Sequence, residues 1–161
     1  MRRRTRVSVS GATKAMTLPA TPTPRFDIFY KYDALTQLLF DYAAAHPGLV
    51  QVQSIGKSHA GRDLWVLTVT NFAKGEVDKK PAMWIDGAIH ANEIQATEVV
   101  LYTAWYLCEM RQDSDVVKRL LDERTFYLMP MMSPDSRDAH MYEPNSTNTP
   151  RPGQRDRKSV V

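Results

Sequence analysis

His90 and Glu93 stand three positions apart in the octapeptide Asp86-Gly87-Ala88-Ile89-His90-Ala91-Asn92-Glu93. A neutral imidazole nitrogen and a carboxylate oxygen at that spacing can converge on one divalent cation, and both suit Zn2+ at roughly 2.0–2.2 Å. Two donors make half a site, because a catalytic zinc typically takes three protein ligands and keeps a position for water. The plain alternative is a surface histidine beside a glutamate favoured by a helix N-terminus. The other histidines are weaker candidates. His46 precedes Pro47-Gly48 and reads as a helix-end residue interacting with the last carbonyls, His59 falls in a turn, and His140 falls in a polar loop. Cys108 has no partner for a disulfide and no CxxC neighbour, so it reads as a small buried hydrophobe.

The elements that must position the pair follow from periodicity. Tyr32 to Ala45 places Leu35, Leu38, Leu39, Tyr42 and Ala43 on one helix face, and His46-Pro47-Gly48 ends it. Leu49 to Ile55 alternates like a strand, Leu64 to Thr70 is rich in β-branched and aromatic residues, and the turn residues between them predict an antiparallel pair. Ala82 to Ile85 predicts a short buried strand ending in Asp86-Gly87, which sets the His90–Glu93 pair at the carboxyl end of a strand, where open α/β sheets place ligands. Ala91 to Arg111 predicts a long helix, Asp115 to Glu123 a short one, and Thr125 to Met131 a last strand, after which no periodic apolar pattern remains. Trp65, Trp84 and Trp105 fall in apolar segments and are expected in the core. The fold class is α/β, with a mixed sheet between helices.

With 43% hydrophobic and 24% charged residues the 161-residue chain can bury a core and is one domain or part of one. No apolar run approaches the roughly 18–20 residues of a membrane span. The net charge of +3 invites a nucleic-acid reading, but its distribution argues against one. Residues 1–24 carry five basic and no acidic residues, whereas residues 25–150 carry 12 basic against 17 acidic. Basic tails on an acidic body are expected to be solvated, so no nucleic-acid partner is expected.

The stretch Ile85 to Glu93 resembles the zinc-binding segment of the carboxypeptidase A-like zinc metallopeptidases. Further motifs agree in order: Tyr32 with Leu35, the Ser58-His59-Ala60-Gly61-Arg62 connection, and Met129-Pro130-Met131-Met132-Ser133-Pro134-Asp135-Ser136, which is similar to that family's Pro-x-x-Asn-Pro-Asp-Gly turn. The resemblance covers Phe26 to Arg155. It implies that His90 and Glu93 are the first two ligands of one Zn2+, and that Arg151 is the substrate-binding arginine that polarises the scissile carbonyl, with Arg155 and Arg137 as alternatives. The implied activity is zinc-dependent hydrolysis of a peptide or peptide-like substrate. The alternatives are a zinc-dependent acyl-amino-acid deacylase and a non-catalytic peptide-binding relative. Asn92 stands where digestive members have an arginine that helps to bind substrate, and Ser133 and Ser136 replace the usual Asn and Gly of the turn.

The resemblance also implies a later histidine as third ligand, a glutamate as general base near the C-terminus, and a sheet of about eight strands. This chain offers no match for either residue and only about four strands, so it is expected to be an incomplete half-domain without peptidase activity. Residues 1–25 are expected to form a disordered leader with no visible signal peptide, although family members are often secreted. Residues 26–155 are expected to be the N-terminal part of the catalytic domain. Residues 156–161 can be back-translated as GAT CGG AAG AGC GTC GTG, a string that resembles a common sequencing-adapter read, and are expected to be a non-native tail.

Overall fold

A computed structural model of the chain describes residues 19–143. Arg151, Arg155, the expected leader up to residue 18 and the expected tail lie outside the described residues. The first helix, α1 (Tyr32–Ala45), buries Leu35, Leu38, Leu39, Tyr42 and Ala45, the i, i+3, i+4 positions that its sequence presents. The His46 amide bonds the Tyr42 carbonyl, and the Leu49 and Val50 amides both return to the His46 carbonyl, so the chain turns at once into the first strand.

That strand, β1 (Val50–Lys57), pairs antiparallel with β2 (Asp63–Val69) from Val50 opposite Val69 to Ser54 opposite Trp65. The register slips between Ser54 and Lys57. In the connecting turn, Gly61 takes a φ of 85°, a left-handed value that costs glycine little. After a 3₁₀ turn at Val77–Lys79 come β3 (Ala82–Asp86), α2 (Ala96–Glu109), α3 (Asp115–Glu123), β4 (Thr125–Met129) and α4 (Pro134–Tyr142). The strand order is β1-β2-β4-β3, with β2 antiparallel and β3 parallel to β4, which makes the expected mixed sheet.

The core lies between this sheet and the helices, around Leu39, Leu67, Leu101, Leu121 and Leu128, all fully buried. Each such leucine contributes about 1.5–3 kcal/mol by leaving water. Ser114 caps α3, its hydroxyl accepting from the Val117 amide at 3.3 Å. No helix among the described residues is long and apolar enough to cross a membrane.

Three expectations need correction. The long helix begins at Ala96 rather than Ala91, because residues 90–95 are folded into turns in which the Glu93 amide bonds the His90 carbonyl and the Ala96 amide bonds the Glu93 carbonyl, each at 3.1 Å. A fourth helix, α4, occupies a stretch where periodicity predicted none. It buries Pro134, Ser136, Arg137 and Ala139, so polar and charged groups anchor it in place of an apolar stripe. Finally, β3 is an edge strand with Met83 55% and Trp84 47% exposed, so neither the buried strand nor the core position of Trp84 holds. An edge strand has a neighbour on one side only, and here exposed side chains stand on both faces of the strand, since Met83 and Trp84 point opposite ways. Trp65 and Trp105 do pack against the core as partly buried side chains.

Candidate metal centre

Strand β3 ends at Asp86, and the chain then passes through a narrow gap. A Cβ on Gly87 would meet the Ala96 carbonyl oxygen at 2.7 Å and that of Pro130 at 2.9 Å, so glycine is the residue that fits. The Gly87 amide bonds the Met129 carbonyl at 2.9 Å, and its own carbonyl receives the Met132 amide at 2.9 Å. Ala88, fully buried, follows with φ 55°, a left-handed conformation that a non-glycine residue keeps only when its surroundings hold it. What holds it is the loop after β4: the Ser133 amide bonds the Ala88 carbonyl at 3.1 Å and the Ser133 hydroxyl bonds the Ile89 carbonyl at 2.9 Å.

This reversal delivers His90 and Glu93 side by side. His90 Nδ1 lies 2.8 Å from Glu93 Oε1, and the His90 amide donates to Glu93 Oε2 at 3.3 Å. Both side chains remain reachable from solvent, at 23% and 48% exposure. Two bonds of about 2.1 Å to one ion would separate their donor atoms by about 3.4 Å at a tetrahedral angle, so the observed pair needs to spread by about 0.6 Å. A nitrogen and a carboxylate oxygen so arranged suit zinc. Beside them opens a concavity of about 550 Å³ lined by Asn92, Glu93, Ile94, Gln95, Ala96 and Val99. Among the described residues no group of three His, Cys, Asp or Glu side chains is placed to hold a metal ion, so neither His59 nor His140 completes the site.

Arg137, weighed from sequence as a carbonyl-polarising arginine, cannot reach a substrate. Its side chain is fully buried and bonds Glu98 Oε1 at 2.9 Å, the Ile94 carbonyl at 3.1 Å and the Tyr30 carbonyl. Arg151, the first choice for that role, lies outside the described residues. Cys108 is buried on α2, and burial pushes its thiol up to about 12, as suits an unreactive hydrophobe.

The two other motifs singled out from sequence meet in space. Asp135 Oδ1 accepts the Ser58 hydroxyl at 2.9 Å, Asp135 Oδ2 accepts the Ala60 amide at 2.9 Å, and Arg62 lies 3.3 Å from Asp135 Oδ1. Arg62 also lies 3.7 Å from Asp138, which accepts the Tyr32 amide at 3.2 Å. The β1–β2 turn is thereby fastened to α4, the helix that grips the His90–Glu93 turn. Sequence reasoning found the motifs but not the pairing, which joins residues 77 positions apart.

Known proteins resemble this chain over most of its length. The zinc carboxypeptidase family pattern matches residues 35–153. A metallocarboxypeptidase A-like protein of Trichophyton verrucosum is 32% identical over 110 residues, 68% of this chain and 25% of the relative. The human carboxypeptidase N catalytic chain is 30% identical over 107 residues, 66% of this chain and 23% of that protein. Among solved structures, thrombin-activatable fibrinolysis inhibitor superposes with a TM-score of 0.65 at 25% identity, covering 71% of this chain and 28% of its own. The carboxypeptidase A of Helicoverpa armigera, at 23% identity over 71% of this chain and 27% of its own, shares the fold with a TM-score of 0.63. The chain therefore spans about a quarter of the length of the relatives it matches.

Proposed function

The chain belongs to the zinc carboxypeptidase family, and from that premise we propose that it carries the first part of the active site of a zinc-dependent metallocarboxypeptidase that acts on peptides. The observation that supports this reading is the 2.8 Å approach of His90 Nδ1 to Glu93 Oε1 at the carboxyl end of β3. His90 and Glu93 are the residues that would hold Zn2+. The ion, when bound, supplies Lewis acidity towards water and towards a peptide carbonyl.

The protein's own residues do the positioning. Gly87 and Ala88 reverse the chain so that both donors face the same way. Ser133 fixes the carbonyl before His90, and the open concavity beside Glu93 leaves room for an extended substrate to approach. Arg151 is the residue we assign to the substrate carbonyl, where a guanidinium would stabilise the negative charge that develops on its oxygen.

Two measurements test this. In competition with a chromophoric chelator, His90→Ala and Glu93→Ala should each weaken Zn2+ binding by at least about tenfold. The protein expressed from the genomic reading frame should release the C-terminal amino acid of an acylated dipeptide, with His90→Ala reducing the rate by about 10³-fold or more. Undiminished turnover in His90→Ala would falsify the assignment.

A further inference from the structure

We propose that Arg137 is a positioning residue for the metal-binding turn and that it works with Ser133 as a two-point clamp. The inference rests on the reading of His90 and Glu93 as metal ligands. Ile89 immediately precedes His90, and Ile94 immediately follows Glu93. The Ser133 hydroxyl bonds the Ile89 carbonyl at 2.9 Å, and Arg137 Nη2 bonds the Ile94 carbonyl at 3.1 Å. The four residues between those carbonyls therefore hang from two points on one element, the N-terminal turn of α4.

Arg137 is chemically suited to the role. A fully buried guanidinium is costly unless its charge is matched and its donors are used. Here Glu98 Oε1 matches the charge at 2.9 Å, and the carbonyls of Tyr30 and Ile94 take further donors. Glu98 Oε1 also accepts the Tyr30 amide at 3.1 Å, so the chain leading into α1, the first turn of α2 and the exit of the metal-binding turn meet at one fork. A lysine ammonium lacks that planar fork and cannot serve all three acceptors in the same geometry. Orientation of ligands by groups one contact removed typically changes metal affinity by about 10- to 100-fold.

The test uses the protein expressed from the genomic reading frame, with Zn2+ alone as the probe, comparing wild type, Ser133→Ala, Arg137→Lys and His90→Ala. Affinity is read by chelator competition, and amide hydrogen exchange is read residue by residue. Ser133→Ala and Arg137→Lys should each weaken Zn2+ about tenfold, with faster exchange confined to residues 90–96 while β2 and β4 keep wild-type protection. Wild-type affinity in both variants, or exchange that accelerates across the whole sheet with affinity unchanged, would overturn the clamp and leave Arg137 a stability residue only. Should Arg137→Lys fail to fold, Ser133→Ala decides alone, because it removes one hydroxyl from a partly exposed position. His90→Ala separates the two levels of inference. Loss of Zn2+ binding there with no effect of the clamp variants defeats the clamp, whereas unchanged binding in His90→Ala defeats the metal reading beneath it.

Discussion

At the scale of single residues, His46 shows how a side chain set aside by sequence reasoning still shapes the protein's response to pH. It caps α1 at the C-terminal end, is partly buried, and its Nε2 lies 2.8 Å from Thr21 Oγ1. Burial lowers its pKa below the usual histidine value, against a smaller opposing pull from Glu109. The folded state therefore binds its proton more weakly than the unfolded chain does. Stability contributed by the neutral ring is present above about pH 6.5 and is lost as the pH falls towards the depressed value. The melting temperature should decline as pH falls below about 6.5, and His46→Gln should flatten that part of the profile. Thermal melts across this range check the prediction; an identical slope in the variant would show that other groups carry the acid sensitivity.

At the scale of elements, the approach of the β3–α2 connection to its neighbours is the tightest fit that bears on the site. The three atoms nearest a Cβ at position 87 are all backbone, the Ala96 carbonyl oxygen and carbon at the start of α2 and the Pro130 oxygen after β4, and none can rotate aside. Gly87→Ala must push those elements apart, and overfilled sites of this kind typically lose about 1–3 kcal/mol. Urea unfolding should show that loss as a lower midpoint, and the His90–Glu93 turn should shift with it. A midpoint equal to wild type would mean that the connection is looser than its distances imply. Helix α4 carries the matching lesson. It has no apolar stripe to announce it, yet Ser133, Asp135, Arg137 and Asp138 make it the element to which three others are tied.

For the molecule as a whole, the exposed surface of β3 dominates. Met83 and Trp84 stand open on the edge strand of the sheet that the described residues form, with the Trp84 indole bonding Asp86 at 2.6 Å. On α2, Tyr102 and Tyr106 are exposed as well, Tyr102 against Phe26 with ring centroids 5.5 Å apart. Apolar edge strands promote strand-to-strand association. The 161-residue chain should self-associate in a concentration-dependent way, and Trp84→Lys should reduce that association while leaving the melting temperature close to wild type. Sedimentation velocity reads the first quantity. A monomeric wild type, or a variant that associates equally, would place any aggregation elsewhere.

Local chemistry alone determined the limits of α1 and α3, the antiparallel β1–β2 pair, the mixed sheet, and His90 with Glu93 as a pair after a strand. The helices, the hairpin and the pair repeat at short period or sit within a few residues of one another, so side-chain type and spacing announce them; the mixed sheet followed from the order of strands and helices along the chain. Tertiary structure alone decided that Trp84 faces outward, that α4 exists, and that Arg137 is sealed inside with Glu98 rather than offered to a substrate. Each of these depends on which strand ends at an edge or on bonds between residues 39 to 107 positions apart. Such contacts leave no periodic trace in the chain, because the partner that makes a buried charge tolerable is chosen by the fold.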